Sequence, residues 1–239
     1  MTSTTETSAH TDRRPPRVVV LGRIALVTGA AYALLLLVIH FARPDVSVAW
    51  QTTSEYARGA GGWAMVIAFL LSAIALAALA VSASAVVRSV PGRIGAIVLL
   101  LAAVGTALGG IFVTDPIETA QNAQTLSGTV HGLAAGLALM LTPIAALMLN
   151  IGLARRADSK PTRMLLLALA VLPLVALVAF MVVQTVLLPA DGTFGPDVPI
   201  GPVERVLVAA YAVWQIATAA VLVRWRGRDA RRDRGADTA

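Results

Sequence analysis

Six stretches of this chain are each long and apolar enough to cross a bilayer, and that decides the class of fold before any motif is read. They lie near 18–42, 62–87, 93–114, 128–154, 163–188 and 203–224, and a bilayer core takes about 20 apolar residues per helix. None alternates as a barrel strand does, and each has helix length. Charged residues make up 13% of the chain, about half the roughly 25% of a soluble domain. The loops are too short to hold a soluble domain, so the apolar residues must face lipid or one another. The expected fold is all-α, a polytopic membrane six-helix bundle over residues 18–225. Residues 1–17, Thr/Ser-rich and ending in RRPPR, read as a disordered cytoplasmic tail, and residues 226–239, RGRDARRDRGADTA, as a basic one. The first span is too long for a cleavable signal peptide.

Charge placement orients the bundle. The net charge is +6, which invites a nucleic-acid reading, but the basic residues cluster at the ends of the apolar runs, so no nucleic-acid partner is expected. With the N-terminus inside, sixteen of the 19 basic residues fall on the inner side, leaving only Arg43, Arg58 and Arg205 outside. That bias follows the positive-inside rule and puts both tails in the cytoplasm of a plasma (inner) membrane protein. There is no cysteine, which excludes disulfides and thiolate metal sites.

Packing cues come from glycine and proline. Gly128, Gly132 and Gly136 repeat every four residues along the fourth span, and Gly105 and Gly109 do so along the third. Such spacing permits close backbone approach in lipid, so these two helices are expected to pack closely through those glycines. Pro143 and Pro173 should kink the fourth and fifth spans. Trp50 and Trp63 fall at an outer aromatic belt and Trp225 at an inner one. Trp214 lies near mid-span, facing either lipid or core.

The polar residues gather at one membrane level, toward the outside. His40 ends the first span; Glu55, Tyr56 and Arg58 occupy the loop TTSEYARGAGGWAM; Thr114 and Asp115 end the third span. His131 lies about one turn inside the fourth span, Gln184 a similar depth inside the fifth, and Glu204 and Arg205 open the sixth. Ionisable groups are costly in lipid, so this level is a site hypothesis. Asp45, Asp191 and Asp197 read as solvated loop charges. Glu55 and Arg58, three apart, could simply pair, Asp115 before Pro116 could simply end a helix, and His131 could be a structural, hydrogen-bonded histidine.

Together the stretches SEYARGAGGWAM (54–65), GGIFVTDP (109–116), GTVHGLAAGLA (128–138) and GPVERVL (201–207) resemble a prokaryotic six-helix membrane family. It is the domain-of-unknown-function family numbered nine hundred and ninety-eight, and the resemblance covers about residues 20–225. The usual family pattern before the acid is Phe-Pro-Thr-Asp, where this chain has Phe112-Val113-Thr114-Asp115. The resemblance implies signature positions at Ser54, Glu55, Tyr56, Gly62, Trp63, Thr114, Asp115, Gly128 and His131, and no transferable activity. A more distant likeness, to the Frag1/DRAM/Sfk1 group, implies fold alone.

Two functions are expected ahead of others. The first is an outward-facing polar pocket that binds a membrane lipid or small amphiphile, lined by Ser54, Tyr56, Arg58, Trp63, Thr114 and Gln184. The second is a membrane enzyme acting on a lipid or isoprenoid, with Glu55 or Asp115 as general acid or base and His131 as its partner. In either case Glu55, Asp115 and His131 should converge. A structural or assembly subunit is the default, and a transporter is disfavoured because charges are missing from mid-membrane. No P-loop, dinucleotide-binding glycine motif or GxSxG elbow is present, and His40, His131 and Asp115 lack the spacing of a zinc site. No cofactor or metal is expected.

Overall fold

The computed structural model describes residues 16–187 and 194–236, and their side chains except those of 16–18, 121 and 225–236. The helices are α1 (Pro16–Ala42), α2 (Trp63–Ser84), α3 (Val90–Ile111), α4 (Leu126–Ala154), α5 (Lys160–Leu187) and α6 (Ile200–Ala236), with short 3₁₀ turns at Thr53–Ala57 and Gln121–Ala123. All six are long and apolar enough to cross a membrane, and the described residues contain no strand. The protein is an all-α, multi-pass membrane bundle.

Helices α3 to α6 begin two or three residues before the expected spans, because capping sets a helix start and hydropathy does not. The Ser89 hydroxyl caps α3 by accepting the Gly92 amide, with a proline in the first turn, and the Thr125 hydroxyl caps α4 by accepting the Gly128 amide. At the other end α6 continues to Ala236, through most of the segment that composition marks as a disordered tail. Arginine and alanine are good helix formers, and no proline interrupts them. Residues 1–15 of the N-terminal tail and Asp191 lie outside the described residues, as does the Trp225 side chain.

Short connections make consecutive helices antiparallel neighbours. Each packs on the next, and α6 returns to pack on α1, closing a ring. The loops 43–62 and 112–125 and the start of α6 all lie at one end, here the distal end; the loops 85–89 and 155–159 mark the proximal end. The proximal half of the ring is filled by Leu76, Leu79, Leu99, Leu149, Leu153, Leu166, Trp214 and Leu222. Trp214 is therefore core. Asn150 ties α4 to α5 and α6 there, its Nδ2 donating to the Leu166 carbonyl at 2.9 Å and to Thr218 Oγ1 at 3.4 Å.

The seam between α3 and α4 is the most extensive in the ring, as expected, but different residues make it. A Cβ on Gly95 would stand 2.5 Å from the Leu149 nitrogen, and one on Gly105 would stand 2.7 Å from the Ala134 carbonyl oxygen. Gly92 faces Gly152, and Gly109 faces Ala135. Gly128 is filled by the Asp115 carboxylate, whereas Gly132 and Gly136 have nothing within 4 Å of a built Cβ. Successive residues turn about 100° on a helix. The α4 stripe that meets α3 therefore runs through Ala134, Ala135 and Ala138, and Gly132 and Gly136 look elsewhere, into the interior of the ring.

Both prolines lie inside their helices, Pro143 in α4 and Pro173 in α5. Pro143 has no amide to give the Leu139 carbonyl. Tyr211 of α6 supplies the missing donor, its hydroxyl reaching the Leu139 oxygen at 2.7 Å. Tyr211→Phe is expected to cost about 1–3 kcal/mol, the penalty of an orphaned buried carbonyl. Measured by thermal unfolding in detergent, that cost should shrink in a Pro143→Ala background, where residue 143 regains its amide. An equal cost in both backgrounds would show that the proline is not the reason for the bond.

Candidate functional site

A cavity of about 730 Å³ occupies the distal half of the ring. Every helix lines it: Tyr32 from α1, Met65, Phe69, Ser72 and Leu76 from α2, Thr106 from α3, His131 to Thr142 from α4, Phe180 to Thr185 from α5, and Glu204 to Gln215 from α6, with Thr52–Ser54 at the distal end. Most of the wall is hydrophobic. Gly132 and Gly136 line it without placing side chains in it. Among the described lining residues only Gly132 of α4 and Thr185 of α5 are exposed.

Glu204 and His131 are the lining's acid and its imidazole. Glu204 is 7% exposed. Its Oε1 accepts the Thr53 hydroxyl at 2.6 Å and its Oε2 the Thr53 amide at 3.1 Å, so the loop turn and the start of α6 hold one another. His131 is 5% exposed. Its Nδ1 lies 2.6 Å from the Gly109 carbonyl oxygen and 3.0 Å from that of Phe112. A carbonyl can only accept, so Nδ1 carries a proton, and in the neutral ring Nε2 is the acceptor. The ring also meets Phe69 edge-on, with centroids 5.9 Å apart.

Glu55, Asp115 and His131 do not form one bonded group. Asp115 is a fastener: its two carboxylate oxygens accept the amide and hydroxyl of Thr125, at 2.7 and 2.9 Å. It thereby orients the residue that caps α4. Ser127 adds a bond to the Val113 carbonyl at 2.8 Å, and Thr114 bonds the Asp115 carbonyl at 3.0 Å. Helix α3 already ends at Ile111, with Phe112 extended, so the Asp115-Pro116 step does not terminate it; the acid ties the segment after α3 to the start of α4. Glu55 is 2% exposed and pairs with Arg58 at 2.6 Å, and the Ile117 amide also reaches it. Burial pushes its carboxyl above the ordinary 4.5, with the Arg58 guanidinium pulling the other way. Neither acid lines the cavity. Asp45, by contrast, is exposed and held below its ordinary range by Arg43, and Asp197 is exposed too.

The remaining expected residues divide in the same way. Ser54 and Gln184 line the cavity. Thr114, Arg58 and Trp63 do not, and Trp63 is 69% exposed on the outer surface of the ring. Tyr56 is buried outside the cavity, beneath the loop. Its hydroxyl accepts from Arg205 Nη2 at 3.2 Å, and its ring lies 5.0 Å from that of His40. Arg205 also donates to His40 Nε2 at 2.9 Å and to the Gln51 carbonyl at 2.7 Å. Arg43 braces the loop from below, donating to the carbonyls of Tyr56 and Arg58, each at 3.0 Å. Gly59 and Gly61 take left-handed φ values of 69° and 84°, which bend this loop into α2. His40, His131 and Asp115 each hold separate partners, so they do not make a common metal site.

Glu204 belongs with the cavity, yet from sequence it reads as one member of the outer polar level, opening the last span, and not as a named catalytic or ligand-binding residue. The residues that pair with it, Thr53 and its turn, are 151 positions away. The usable signal was an acid followed by three turns of apolar helix, with polar Tyr211 and Gln215 on the same face at spacings of seven and eleven.

A membrane bundle of six helices, ringed around a cavity whose polar groups lie mainly toward one end, is the class of protein these features define. Within that class, the chain belongs to the family described as "Protein of unknown function (DUF998)", which it matches over residues 26–221. No curated protein and no solved structure matches the chain.

Proposed function

We propose that the protein binds a lipid or small amphiphile in the distal cavity, taken up through the gap between α4 and α5. One observation carries this reading: a mostly apolar cavity with polar groups toward its distal end lies within a ring of membrane-spanning helices, and its exposed described lining residues stand on α4 and α5. A polar head would lie among Ser54, His131, Gln184 and Glu204, and a chain would extend along Met65, Phe69, Leu76 and Phe180. Gly136→Leu tests it. The new side chain enters open space, so the fold is retained while the occupant is displaced. Wild type and variant are purified from membranes and their co-purifying lipids compared by mass spectrometry. The wild-type occupant is expected to fall about tenfold or more, since overfilling a site costs about 1–3 kcal/mol. Equal recovery from both would remove the cavity from the function.

The reading extends to orientation. The protein sits in the plasma membrane with both tails in the cytoplasm, because sixteen of its 19 basic residues then lie inside. The cavity in that case opens toward the outer leaflet. A reporter active only outside the cytoplasm, fused to the C-terminus, is expected to stay silent; activity there would invert the topology.

A further inference from the structure

The cavity has a sign. Its lining contains one carboxylate, Glu204, and no lysine or arginine among the described residues. Glu204 has no ion-pair partner among those residues. Its neighbour Arg205 makes no hydrogen bond or ion pair with it: that guanidinium turns to His40, Tyr56 and the carbonyls of Gln51 and Gly201 and reaches Glu204 only through its charge. Thr53 occupies one site on each carboxylate oxygen, and a carboxylate has about four such sites. Other groups facing the cavity also accept. His131, whose Nδ1 is taken up by two carbonyls, has Nε2 left over. Gln215 is 2% exposed, and its Nε2 has no partner; that nitrogen packs toward Gly29, where a Cβ would stand 2.9 Å away, so its carbonyl oxygen is left to accept. Tyr32, Phe69, Phe180 and Tyr211 add aromatic rings to the lining, and the face of such a ring attracts cations.

A buried carboxylate without a cation is costly, and buried charges are paired as a rule. An anionic head would meet Glu204 with no cation in the cavity's described lining. A neutral head would leave the carboxylate as it stands. A head that brings both positive charge and N–H or N–CH₃ groups satisfies the carboxylate and the acceptors around it. We propose that the occupant carries an ammonium head, seated between Glu204 and His131 with its chain in the apolar part of the cavity. This rests on the amphiphile-binding reading and adds the chemical class of the ligand. The ammonium could belong to a single-chain amine or to a zwitterionic lipid whose phosphate stays at the mouth.

The full chain in dodecyl maltoside micelles is tested by equilibrium dialysis, with empty micelles subtracted. The probes share one chain length: decylammonium, decanol and decanoate. A short-chain phosphatidylethanolamine serves as the lipid arm. Decylammonium is expected to bind at least about tenfold tighter than decanoate, as a charge-assisted contact implies. Glu204→Gln should remove about tenfold from decylammonium and leave decanol unchanged, while Glu204→Asp keeps the ammonium preference. Gly136→Leu should weaken every probe. Phosphatidylethanolamine binding with the same dependence on Glu204 assigns the head to a lipid; decylammonium binding alone assigns it to a free amine. Decanol binding as well as decylammonium, or decylammonium binding untouched by Glu204→Gln, overturns this inference and leaves the amphiphile reading standing. If no probe binds the wild type, both fall. Should Glu204→Gln not fold, the ratio of decylammonium to decanoate on the wild type decides.

Discussion

Gly95→Val is expected to lower stability by about 3 kcal/mol or more, because overpacking here meets backbone. A Cβ at Gly95 already stands 2.5 Å from the Leu149 nitrogen and 3.0 Å from its Cα. Neither atom can rotate away as a side chain end could. The only relief is to separate α3 from α4, and that opens the whole seam, including the contacts of Gly92 with Gly152 and of Gly105 with Ala134. In lipid this seam has no hydrophobic driving force to restore it, since tails solvate leucine as well as leucine does. Gly132→Ala is the matched control. It adds a methyl where nothing lies within 4 Å, and alanine is a better helix former by up to about 1 kcal/mol. Thermal unfolding in detergent should show a large loss for the first and none for the second. Similar stability for Gly95→Val and wild type would mean the seam is not the close crossing described.

Arg205→Ala is the second large effect, at about 3 kcal/mol, since hydrogen bonds to charged groups are worth about 1.5–3 kcal/mol each. The guanidinium ties three segments distant in sequence. It reaches the end of α1 through His40, the loop through the Gln51 carbonyl and the Tyr56 hydroxyl, and its own helix through the Gly201 carbonyl. It also lies 5.7 Å from the Tyr56 ring centroid. Losing it leaves half-buried acceptors unpaired and frees the turn that carries Thr53. The loop should then become cleavable by protease between residues 43 and 62 before the bundle unfolds. Arg205→Lys is expected to recover only part of the stability, because one ammonium cannot present the planar fork that spans His40 and Gln51. Protease resistance equal to wild type in Arg205→Ala would show that the loop is held without it.

Several of the polar residues were legible as a group and illegible as a site. Hydropathy and span alternation are local properties, so His40, Glu55, Asp115, His131, Gln184 and Glu204 could be placed at one end of the bundle from the sequence. Which of them share a cavity depends on how far each helix is rotated about its axis. That rotation is set by close packing with neighbours. His131 turns its Nδ1 to α3 and still lines the cavity, whereas Asp115, within the loop after α3, is drawn off to hold Thr125, the cap of α4. Glu55 has the chemistry of a site residue, but its turn presents Thr53 to Glu204 and keeps Glu55 for Arg58.

The glycines show the same division most clearly. Their spacing of four on α4 marks one face of a helix and carries no information on what faces it. Gly105 and Gly109 meet α4, as their pattern on α3 suggested, but Gly132 and Gly136 of α4 meet empty space. A missing side chain permits a close crossing or a cavity equally well. The sequence by itself determined that six helices are long and apolar enough to cross a membrane, where their ends lie to within a few residues except at the end of α6, and at which end the polar groups gather, because length and apolarity are properties of each segment alone. Only the tertiary structure decided that the ring closes through α6 on α1, that Arg205 ties the loop to it, and that Glu204 and His131 face one cavity. Those outcomes depend on contacts between residues up to 165 positions apart, and packing alone selects them.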